Sequence, residues 1–509
     1  MSTPETLTPV RPVTPAAATP YPRRWYTLIV LCLALLVIVV DSTIVNVALP
    51  TFARDLHAGT TGLQWIVDAY TLTFAALLLL AGAIADRYGR HHALTAGLAV
   101  FGAGSLVAAF TGTTTELIAA RVLMGAGGAF IMPATLSILM NVFTNPVERT
   151  KAIGLWSAVS GLGVAIGPVT GGWLLAHFSW GSIFLVNLPI VAIALVAGHW
   201  LVPVSRAPGA DAGQRLDLLG ALLSVAGFTA LTYTIIEAPA NGWLSGPTLG
   251  LAAATAGLFV LFIWREARAA HPMLPLGLFR NPRFTGAAVT LTILFFALSG
   301  AVFMSTQIYQ FVLGFSPLAA GVRALPAAAA LAVFSPLGAT ISKRAGVTVP
   351  IALGLCMIAA GLTFFSTATA ASGYGHYVIA MVTMSAGIGL AMAAATTASM
   401  QVLPPALAGV GSAINDSTRN MGSVLGVAVF GSISASIFAS RMTAAHMSVS
   451  SVGAAAIAAR QTGNVNLLHT AANAFVSGAD HAVIAGIIAG VAGALIAAWA
   501  FRTRKPLSQ

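Results

Sequence analysis

Long apolar segments follow one another through almost the whole chain. An α-helix needs about 20 predominantly apolar residues to cross the hydrocarbon core of a bilayer. Fourteen segments of that kind are present, at residues 26–49, 62–84, 93–112, 116–140, 151–174, 181–202, 217–237, 247–265, 284–312, 318–341, 348–370, 375–402, 408–438 and 480–501. Only 7% of the 509 residues are charged, whereas soluble domains average about 25%. The sequence therefore predicts an all-α polytopic membrane protein with fourteen spans.

The Lys and Arg residues indicate how these spans are oriented. Cytoplasmic loops of membrane proteins carry an excess of Lys and Arg. With the N-terminus inside, 18 of the 24 Lys and Arg fall on the cytoplasmic side. Both termini are therefore predicted to be cytoplasmic, in a multi-pass protein of the cytoplasmic membrane. The net charge of +11 is explained by this topology rather than by nucleic-acid binding, because no soluble domain is visible that could carry a basic face.

An internal repeat indicates a duplicated architecture. The sequence GAIADRYGR at 82–90 follows the second span, and the similar GATISKRAG at 338–346 follows the tenth. If two of the intervening spans are an insertion, each loop follows the second helix of a six-helix half. Paired six-helix halves are one plan of secondary transporters.

This repeat gives a predicted division of the chain. The predicted parts are a disordered cytoplasmic tail at 1–24, an N-terminal six-helix bundle at 25–202, two extra linker spans at 217–266, a C-terminal six-helix bundle at 284–502 and a cytoplasmic tail at 503–509. The C-terminal bundle includes an Ala- and Ser-rich external loop at 440–479. A short helix packed over the outer mouth is expected in that loop.

Two glycine-containing motifs stand at the second and fifth spans. In GAIADRYGRHHAL at 82–94, the glycines allow close packing and a tight turn, and the charged residues can form a cytoplasmic latch. A simple topology anchor is the alternative. In GVAIGPVTGGWL at 163–174, the glycines allow close helix approach and the proline kinks the helix. The residues are Gly82, Asp86, Arg87, Gly89 and Arg90 in the first motif, and Gly163, Gly167, Pro168, Gly171 and Gly172 in the second.

These motifs resemble those of the major facilitator superfamily, and specifically its fourteen-span drug and proton antiporter family. Two further stretches share the resemblance, VDSTIVNVALP at 40–50 and LIAARVLMGAGGA at 117–129. The resemblance implies the major facilitator fold of two six-helix bundles plus two linker helices. It also implies that the loop at 82–94 gates the transporter and that the motif at 163–174 is the antiporter motif. Proton coupling without a cofactor is implied as well.

Asp41 and Arg121 are the candidate proton-coupling pair. A charged residue in a membrane helix is costly and is usually retained for a function. Counting about 1.5 Å per residue places Asp41, Asp68 and Arg121 at a similar depth. We expect Asp41 to interact with Arg121, so that protonation of Asp41 releases Arg121. A static ion pair that fixes the helix register is the alternative.

The candidate cation-binding residues are acids and aromatics within the spans. Asp68 in the second span and Asp416 in the thirteenth can neutralise a cationic substrate, and aromatic rings can contact one. Asp416 could instead form a self-contained ion pair with Arg419, three residues later on the same helix face. The aromatic candidates are Trp65, Tyr70 and Phe74. Trp65 alone could also be an anchor at the membrane interface.

The predicted function is proton-coupled export of lipophilic, cationic drugs or antiseptics by a monomer, through alternating access. The chain has no GxxxxGK[ST] nucleotide-binding loop, and its ten histidines show no metal spacing. Neither an ATP-driven pump nor an enzyme is therefore predicted, and no catalytic or metal site is assigned. One alternative is a dedicated exporter of one endogenous metabolite or self-produced antibiotic. An alternative outside transport is a membrane receptor or structural protein that retains the fold.

Overall fold

The computed structural model describes residues 21–204, 217–269, 274, 276–403, 408–447, 449 and 451–501, and all regular structure within them is helical. The predicted tail at 503–509 and most of the tail at 1–24 lie outside these residues. The helices are α1 (Arg24–Asp55), α2 (Thr60–Tyr88), α3 (Arg90–Ala109), α4 (Thr114–Val142), α5 (Pro146–His177), α6 (Ser182–Leu185), α7 (Asn187–Leu201), α8 (Leu218–Asn241), α9 (Gly246–Arg268), α10 (Pro282–Gln307), α11 (Pro317–Arg323), α12 (Leu325–Ala345), α13 (Thr348–Phe365), α14 (Tyr374–Gln401), α15 (Ala408–Ala444), α16 (Val452–Thr462) and α17 (Val465–Phe501). A π-helical turn, Ile308–Val312, continues α10.

Most of these helices can cross a membrane. Among the described residues, 13 helical segments are long and apolar enough to do so, with α6 and α7 forming one and α11 and α12 another. The remaining predicted span, at 62–84, corresponds to α2, which has 29 residues. The all-helical membrane fold is therefore confirmed, whereas the number of spans and the side of the termini stay predictions.

Short polar residues define where several helices begin. The side chain of Thr113 accepts a hydrogen bond from the backbone of Glu116, and Glu116 bonds back to the Thr113 backbone, so that α4 starts with a capping box. Asn145 caps α5 and Asn281 caps α10, and each is followed by a proline at the first helical position. These local signals fix where the three helices begin.

The helices pack as two groups with a hairpin beside them. α1 packs against α4, α5 and α7, and α4 also packs against α2 and α3. In the second group α10 packs against α14, α15 and α17, and α13 packs against α14 and α17. The hairpin of α8 and α9 contacts one helix of each group, α2 and α15. The linker hairpin therefore lies on a seam between the two groups.

The two groups meet through polar and glycine contacts. In the predicted orientation these contacts lie in the outer half of the membrane. The buried Gln64 of α2 donates from Nε2 to the carbonyl of Ala428 in α15, at 2.9 Å. The buried Gln310 of the π-helical turn donates to the carbonyl of Val47 in α1, at 2.8 Å. α5 packs against α11 in the same region. The groups are therefore joined at the outer ends of α1, α2 and α5.

The region predicted as an external loop with weak helical character, at 440–479, is largely helical. α15 continues to Ala444, the short helix α16 follows, and α17 begins at Val465 rather than near residue 480. Alanine has the highest helix propensity, and Ala471 and Phe475 are buried on one face while Asn473 is exposed on another. The polar residues therefore mark a helix face and not a loop. The expected short helix is present as α16, which packs against α1 and α17.

Candidate functional site

Asp41 and Arg121 form a buried ion pair. Asp41 lies at the middle of α1 and is 0% exposed, and Arg121 of α4 is 1% exposed. Nη1 of Arg121 lies 2.5 Å from Oδ2 of Asp41. The predicted contact is thus present, while its role in proton coupling stays a prediction. A buried ion pair is weak evidence for stability, because desolvation of two charges offsets their attraction.

Arg121 has two further contacts in the same place. Its Nε donates to the carbonyl of Ile66 in α2, at 3.1 Å. Its guanidinium lies over the ring of Tyr70, 4.2 Å from the ring centroid, which is within cation–π distance. Tyr70 in turn stacks on Phe74, with ring centroids 6.1 Å apart. Both aromatic residues were predicted to contact substrate, but the structure buries them in the N-terminal group beside Arg121.

The second oxygen of Asp41 has a partner that the sequence analysis missed. Nδ2 of Asn187 donates to Oδ1 of Asp41 at 3.0 Å and to Oγ of Ser105 at 3.2 Å. Asn187 is the first residue of α7, directly after the break that separates α7 from α6. A signal was available in the sequence FLVNLPI at 184–190, where one amide and one proline interrupt an apolar run.

The glycines of the predicted antiporter motif pack α5 against α1 around Asp41. A Cβ atom at Gly163 would lie 2.8 Å from the Val39 side chain, and one at Gly171 would lie 2.5 Å from that of Ile44. Gly167 lies between these glycines and contacts Thr43. Only residues without a side chain allow this approach, as in other small-residue interfaces of membrane helices. The motif therefore fixes the helix that carries Asp41.

The same motif contacts the second group of helices. A Cβ atom at Gly172 would lie 2.5 Å from Cα of Leu318 in α11. Gly321 of α11 packs equally closely on the backbone of Pro168. α5 is consequently held between α1, which carries Asp41, and α11 of the other group.

Asp68 is buried at the seam between the two groups. It is 0% exposed, and neither of its oxygens has a hydrogen-bond partner among the described residues. Gln64 and Leu72, four residues before and after it, face α15 through Ala428 and Val424, so Asp68 shares that face. It is therefore separate from the ion pair of Asp41 and Arg121, although all three charges were predicted to lie at a similar depth.

Trp65 lies at the edge of the same seam. Its ring centroid is 6.1 Å from that of Tyr233 in the linker helix α8. Trp65 also packs on a small apolar cluster that α2 shares with α15. It therefore contacts the linker hairpin and the seam, and its predicted contact with substrate stays a prediction.

Asp416 pairs with Arg419 beside an open cavity. Their closest charged atoms are 3.5 Å apart, so the ion-pair alternative describes the geometry. Arg419 also donates to Oγ1 of Thr396 in α14, at 2.7 Å. The cavity is lined by Met392, Ala393, Thr396, Thr397, Met400, Gln401 and Arg419. None of the four predicted binding residues of α2 lines it.

The predicted gating loop is a single-residue turn between α2 and α3. Gly89 has φ +113°, a conformation that favours glycine. Arg90 donates to the carbonyl of Ser137 in α4 at 3.3 Å, and Arg87 lies over the ring of Tyr88 at 5.3 Å. Gly82 faces Pro133 of α4, 3.8 Å from where its Cβ would be. The side chain of Asp86 lies outside the described residues, so the latch itself stays a prediction.

Sequence similarity extends over most of the chain. A sequence model of the Major Facilitator Superfamily matches residues 31–427. Multidrug resistance protein Stp of Mycobacterium tuberculosis is 36% identical over 407 residues, which cover 80% of this chain and 75% of Stp. The tetracenomycin C resistance and export protein of Streptomyces glaucescens is 34% identical over 414 residues, which cover 81% of this chain and 76% of that protein.

Structural similarity covers nearly the full length. A bacterial homologue of the human lysosomal transporter Spinster, in an inward-facing and unoccupied conformation, matches with a TM-score of 0.69. The match covers 96% of this chain and 99% of the other, at 17% sequence identity. At that identity the similarity shows a shared fold.

Proposed function

Because the chain belongs to the major facilitator superfamily, we propose that it exports lipophilic, cationic drugs or antiseptics across the cytoplasmic membrane in exchange for protons. Family membership makes the chain a transporter rather than an enzyme, and a multi-pass protein of the bacterial cell membrane. The transported compounds, the proton exchange and action as a monomer are part of the proposal.

The buried pair of Asp41 and Arg121 is the observation that carries the proposal. Both side chains are almost wholly removed from solvent at membrane depth. Ionisable residues inside membrane segments commonly belong to ion or proton pathways. A proton on Asp41 removes the charge that Arg121 faces, so the attraction between α1 and α4 falls. Arg121 keeps the Ile66 carbonyl and the Tyr70 ring as partners, and a proton can therefore change the pair without leaving an arginine unpartnered.

The proposed cycle alternates access to the two sides of the membrane. The outer ends of the two groups are joined in this structure by Gln64 and Gln310. The cavity beside Arg419 reaches Gln401 at the end of α14, on the cytoplasmic side in the predicted orientation. A substrate that enters there from the cytoplasm leaves outward after the outer contacts separate. The gradient of protons supplies the energy, without a cofactor.

The cavity suits apolar substrates of varied shape. Met392 and Met400 line it, and methionine side chains adapt to irregular surfaces. Asp416 lies next to it through Arg419, and a cationic substrate can compete with Arg419 for that carboxylate. We assign Asp68 to the same task at the seam, where it becomes accessible when α2 and α15 separate. Trp65 at the edge of that seam would contact the same substrate.

Everted membrane vesicles test this function. In energised vesicles that contain the protein, ethidium should accumulate in the lumen, and an uncoupler should abolish the accumulation because the proton gradient drives it. Vesicles that contain an empty vector control for other transporters. Accumulation that persists at full rate with the uncoupler would overturn the proton-coupled mechanism.

A dedicated antibiotic exporter is the second candidate. One relative bears the name of a tetracenomycin C resistance and export protein, which indicates that this kind of chain can serve a single natural product. The same vesicles separate the candidates. A multidrug exporter should transport ethidium and several unrelated cations, whereas a dedicated exporter should transport one compound, such as tetracenomycin C, and none of the cations.

A further inference from the structure

Asn187 is a buried amide in direct contact with the carboxylate of Asp41. It is 0% exposed, and its Nδ2 donates to Oδ1 of Asp41 at 3.0 Å and to Oγ of Ser105 at 3.2 Å. Arg121 holds the other oxygen of the same carboxylate. Helices α4 and α7 therefore hold one carboxylate of α1 between them, and α3 supports Asn187 through Ser105.

The amide oxygen of Asn187 is the unexplained part of this arrangement. Oδ1 is buried and has no hydrogen-bond partner among the described residues. A buried acceptor without a donor is destabilising. The charged form of Asp41 offers only acceptors, whereas the protonated form has one O–H donor. A donor for Oδ1 thus becomes available when Asp41 takes up a proton.

We propose that Asn187 is a positioning residue for proton coupling, and that it holds Asp41 in both protonation states. Nδ2 donates to the charged carboxylate in the observed orientation. After a half-turn of the amide, Oδ1 accepts the O–H of protonated Asp41. The hydroxyl of Ser105 can accept or donate, so it remains a partner of the amide in both orientations. The only covalent change is the O–H bond of Asp41, formed with the incoming proton and broken on its release.

This inference rests on the proposed function, in which Asp41 carries the transported proton. It adds that Asp41 stays attached to α7 while its attraction to Arg121 falls. The proton then changes the contact of α1 with α4 and leaves its contact with α7 in place. Protonation of Asp41 therefore changes the packing of one helix pair, α1 and α4.

The other groups around Asp41 limit what else could produce a pH effect. Among the described residues, the charged and titratable side chains that face it are Arg121 of α4 and Tyr70 of α2. α5 presents the glycines of its motif there, and α3 and α7 present the neutral Ser105 and Asn187. Among the other neighbours of α1, α6 contacts it at Phe52 and the π-helical turn after α10 contacts it at Val47.

The pH dependence of ethidium efflux in everted vesicles tests the role of Asn187. Asn187→Leu removes a hydrogen bond from each form of Asp41, but the bond to the charged form is the stronger one, so proton uptake should occur more readily. The pH at half-maximal efflux should rise by about one unit, the difference between a hydrogen bond to a charged group and one to a neutral group. Ser105→Ala removes the second partner of the amide and should give a smaller rise.

Asn415→Leu is the matched control. Asn415 is 3% exposed, and its Nδ2 donates to the hydroxyl of Ser399 at 2.7 Å rather than to a carboxylate. The pH at half-maximal efflux should stay at the wild-type value in this variant. Equal shifts in the two Asn→Leu variants would overturn the inference, as would a wild-type midpoint in Asn187→Leu.

Two further outcomes complete the test. If Asn187→Leu does not insert into the membrane, a wild-type pH at half-maximal efflux in Ser105→Ala overturns the inference, because loss of one hydroxyl changes the packing little. Failure of the proposed function gives a different result: Asp41→Asn then retains uncoupler-sensitive efflux. The inference alone fails if Asp41→Asn loses uncoupler-sensitive efflux and the pH at half-maximal efflux is the same in Asn187→Leu as in the wild type.

Discussion

Asp41 is held on both oxygens by residues that are far away in the sequence. Arg121 binds one oxygen and Asn187 the other, and Ser105 extends the network to α3. Removing one partner of a buried ion pair typically costs about 3–5 kcal/mol, because the other charge remains buried. Asp41→Asn also leaves the Arg121 charge buried, but it keeps the shape of the side chain and an acceptor oxygen, so it is a milder probe of this site than Asp41→Ala.

Asp416 gives a prediction about substrate charge. Asp416→Asn should lower the transport of a dication such as methyl viologen more than that of the monocation ethidium. The reason is that a second positive charge needs a second carboxylate, and Asp416 lies beside the cavity through its ion pair with Arg419. Initial rates in everted vesicles give the ratio of dication to monocation transport.

Glu237→Gln is the control for this prediction. Glu237 is an acid within α8, outside the two groups of packed helices. Glu237→Gln should leave the ratio of dication to monocation transport at the wild-type value. An equal loss of both substrates in Asp416→Asn would indicate a role in structure or coupling and would contradict the assignment of Asp416 to substrate charge.

At the residue scale, the sequence predicted the pairing of Asp41 with Arg121 because depth limits which charges can meet. Depth does not fix the rotation of a helix about its own axis. Asp68 therefore faces α15 and Tyr70 faces Arg121, although both had been assigned to one substrate site. Asn187 was missed because a neutral amide in an apolar run carries little signal without its neighbours.

At the scale of the elements, α5 connects the ion pair to the outer seam. Its glycines pack on α1 on either side of Asp41, at Val39 and Ile44. The next residue after Gly171, Gly172, packs on Leu318 of α11. A shift of α1 relative to α5 is therefore transmitted to the place where the two groups meet. Packed interfaces of this kind change between discrete arrangements rather than continuously.

The glycine contact with α11 gives a prediction about the outer seam. A Cβ atom at Gly172 would lie 2.5 Å from Cα of Leu318, so Gly172→Ala forces α5 and α11 apart. Overpacking of this kind costs about 1–3 kcal/mol, and the outer side should open more often. Val47 lies on α1 at a contact between the two groups. In protein with Cys32 and Cys356 replaced by serine, Val47→Cys therefore places a thiol that the outer contacts cover. A membrane-impermeant maleimide added outside should label it faster in Gly172→Ala.

Gly161→Ala is the matched control for the seam, because it is the same substitution in the same helix. Nothing lies within 4 Å of a Cβ atom at Gly161. The labelling rate of Val47→Cys should be the same with Gly161→Ala as without it. Unchanged labelling in Gly172→Ala would show that this contact does not hold the outer side closed.

The ends of the elements were harder to predict than their existence. Apolarity locates a segment inside hydrocarbon, but a helix that extends beyond the membrane needs only helix-forming residues. α17 begins at Val465 for that reason, although its apolar part begins near residue 480. The capping residues at 113 and 145 mark the starts of α4 and α5, and Asn464 marks that of α17 by accepting a hydrogen bond from the backbone N–H of Leu467 at 3.0 Å.

For the whole molecule, the linker hairpin is attached to the seam and not to one group alone. Ser432 of α15 donates to the carbonyl of Ile235 in α8, at 2.7 Å, and accepts from Gln64 of α2, at 3.3 Å. Trp243 at the end of α8 donates to Ser436, at 3.1 Å. The repeat at 82–90 and 338–346 indicated which spans were additional, but nothing in their sequence showed which helices they would contact.

We propose that a proton on Asp41 is exchanged for substrate. Proton flux through the purified protein in liposomes tests it most directly. The liposomes contain a trapped pH-sensitive dye and carry an imposed proton gradient. Addition of ethidium should start a proton flux in liposomes that contain the wild-type protein. Asp41→Asn should still bind ethidium and should give no substrate-dependent proton flux. A flux at the wild-type rate in Asp41→Asn would contradict the claim.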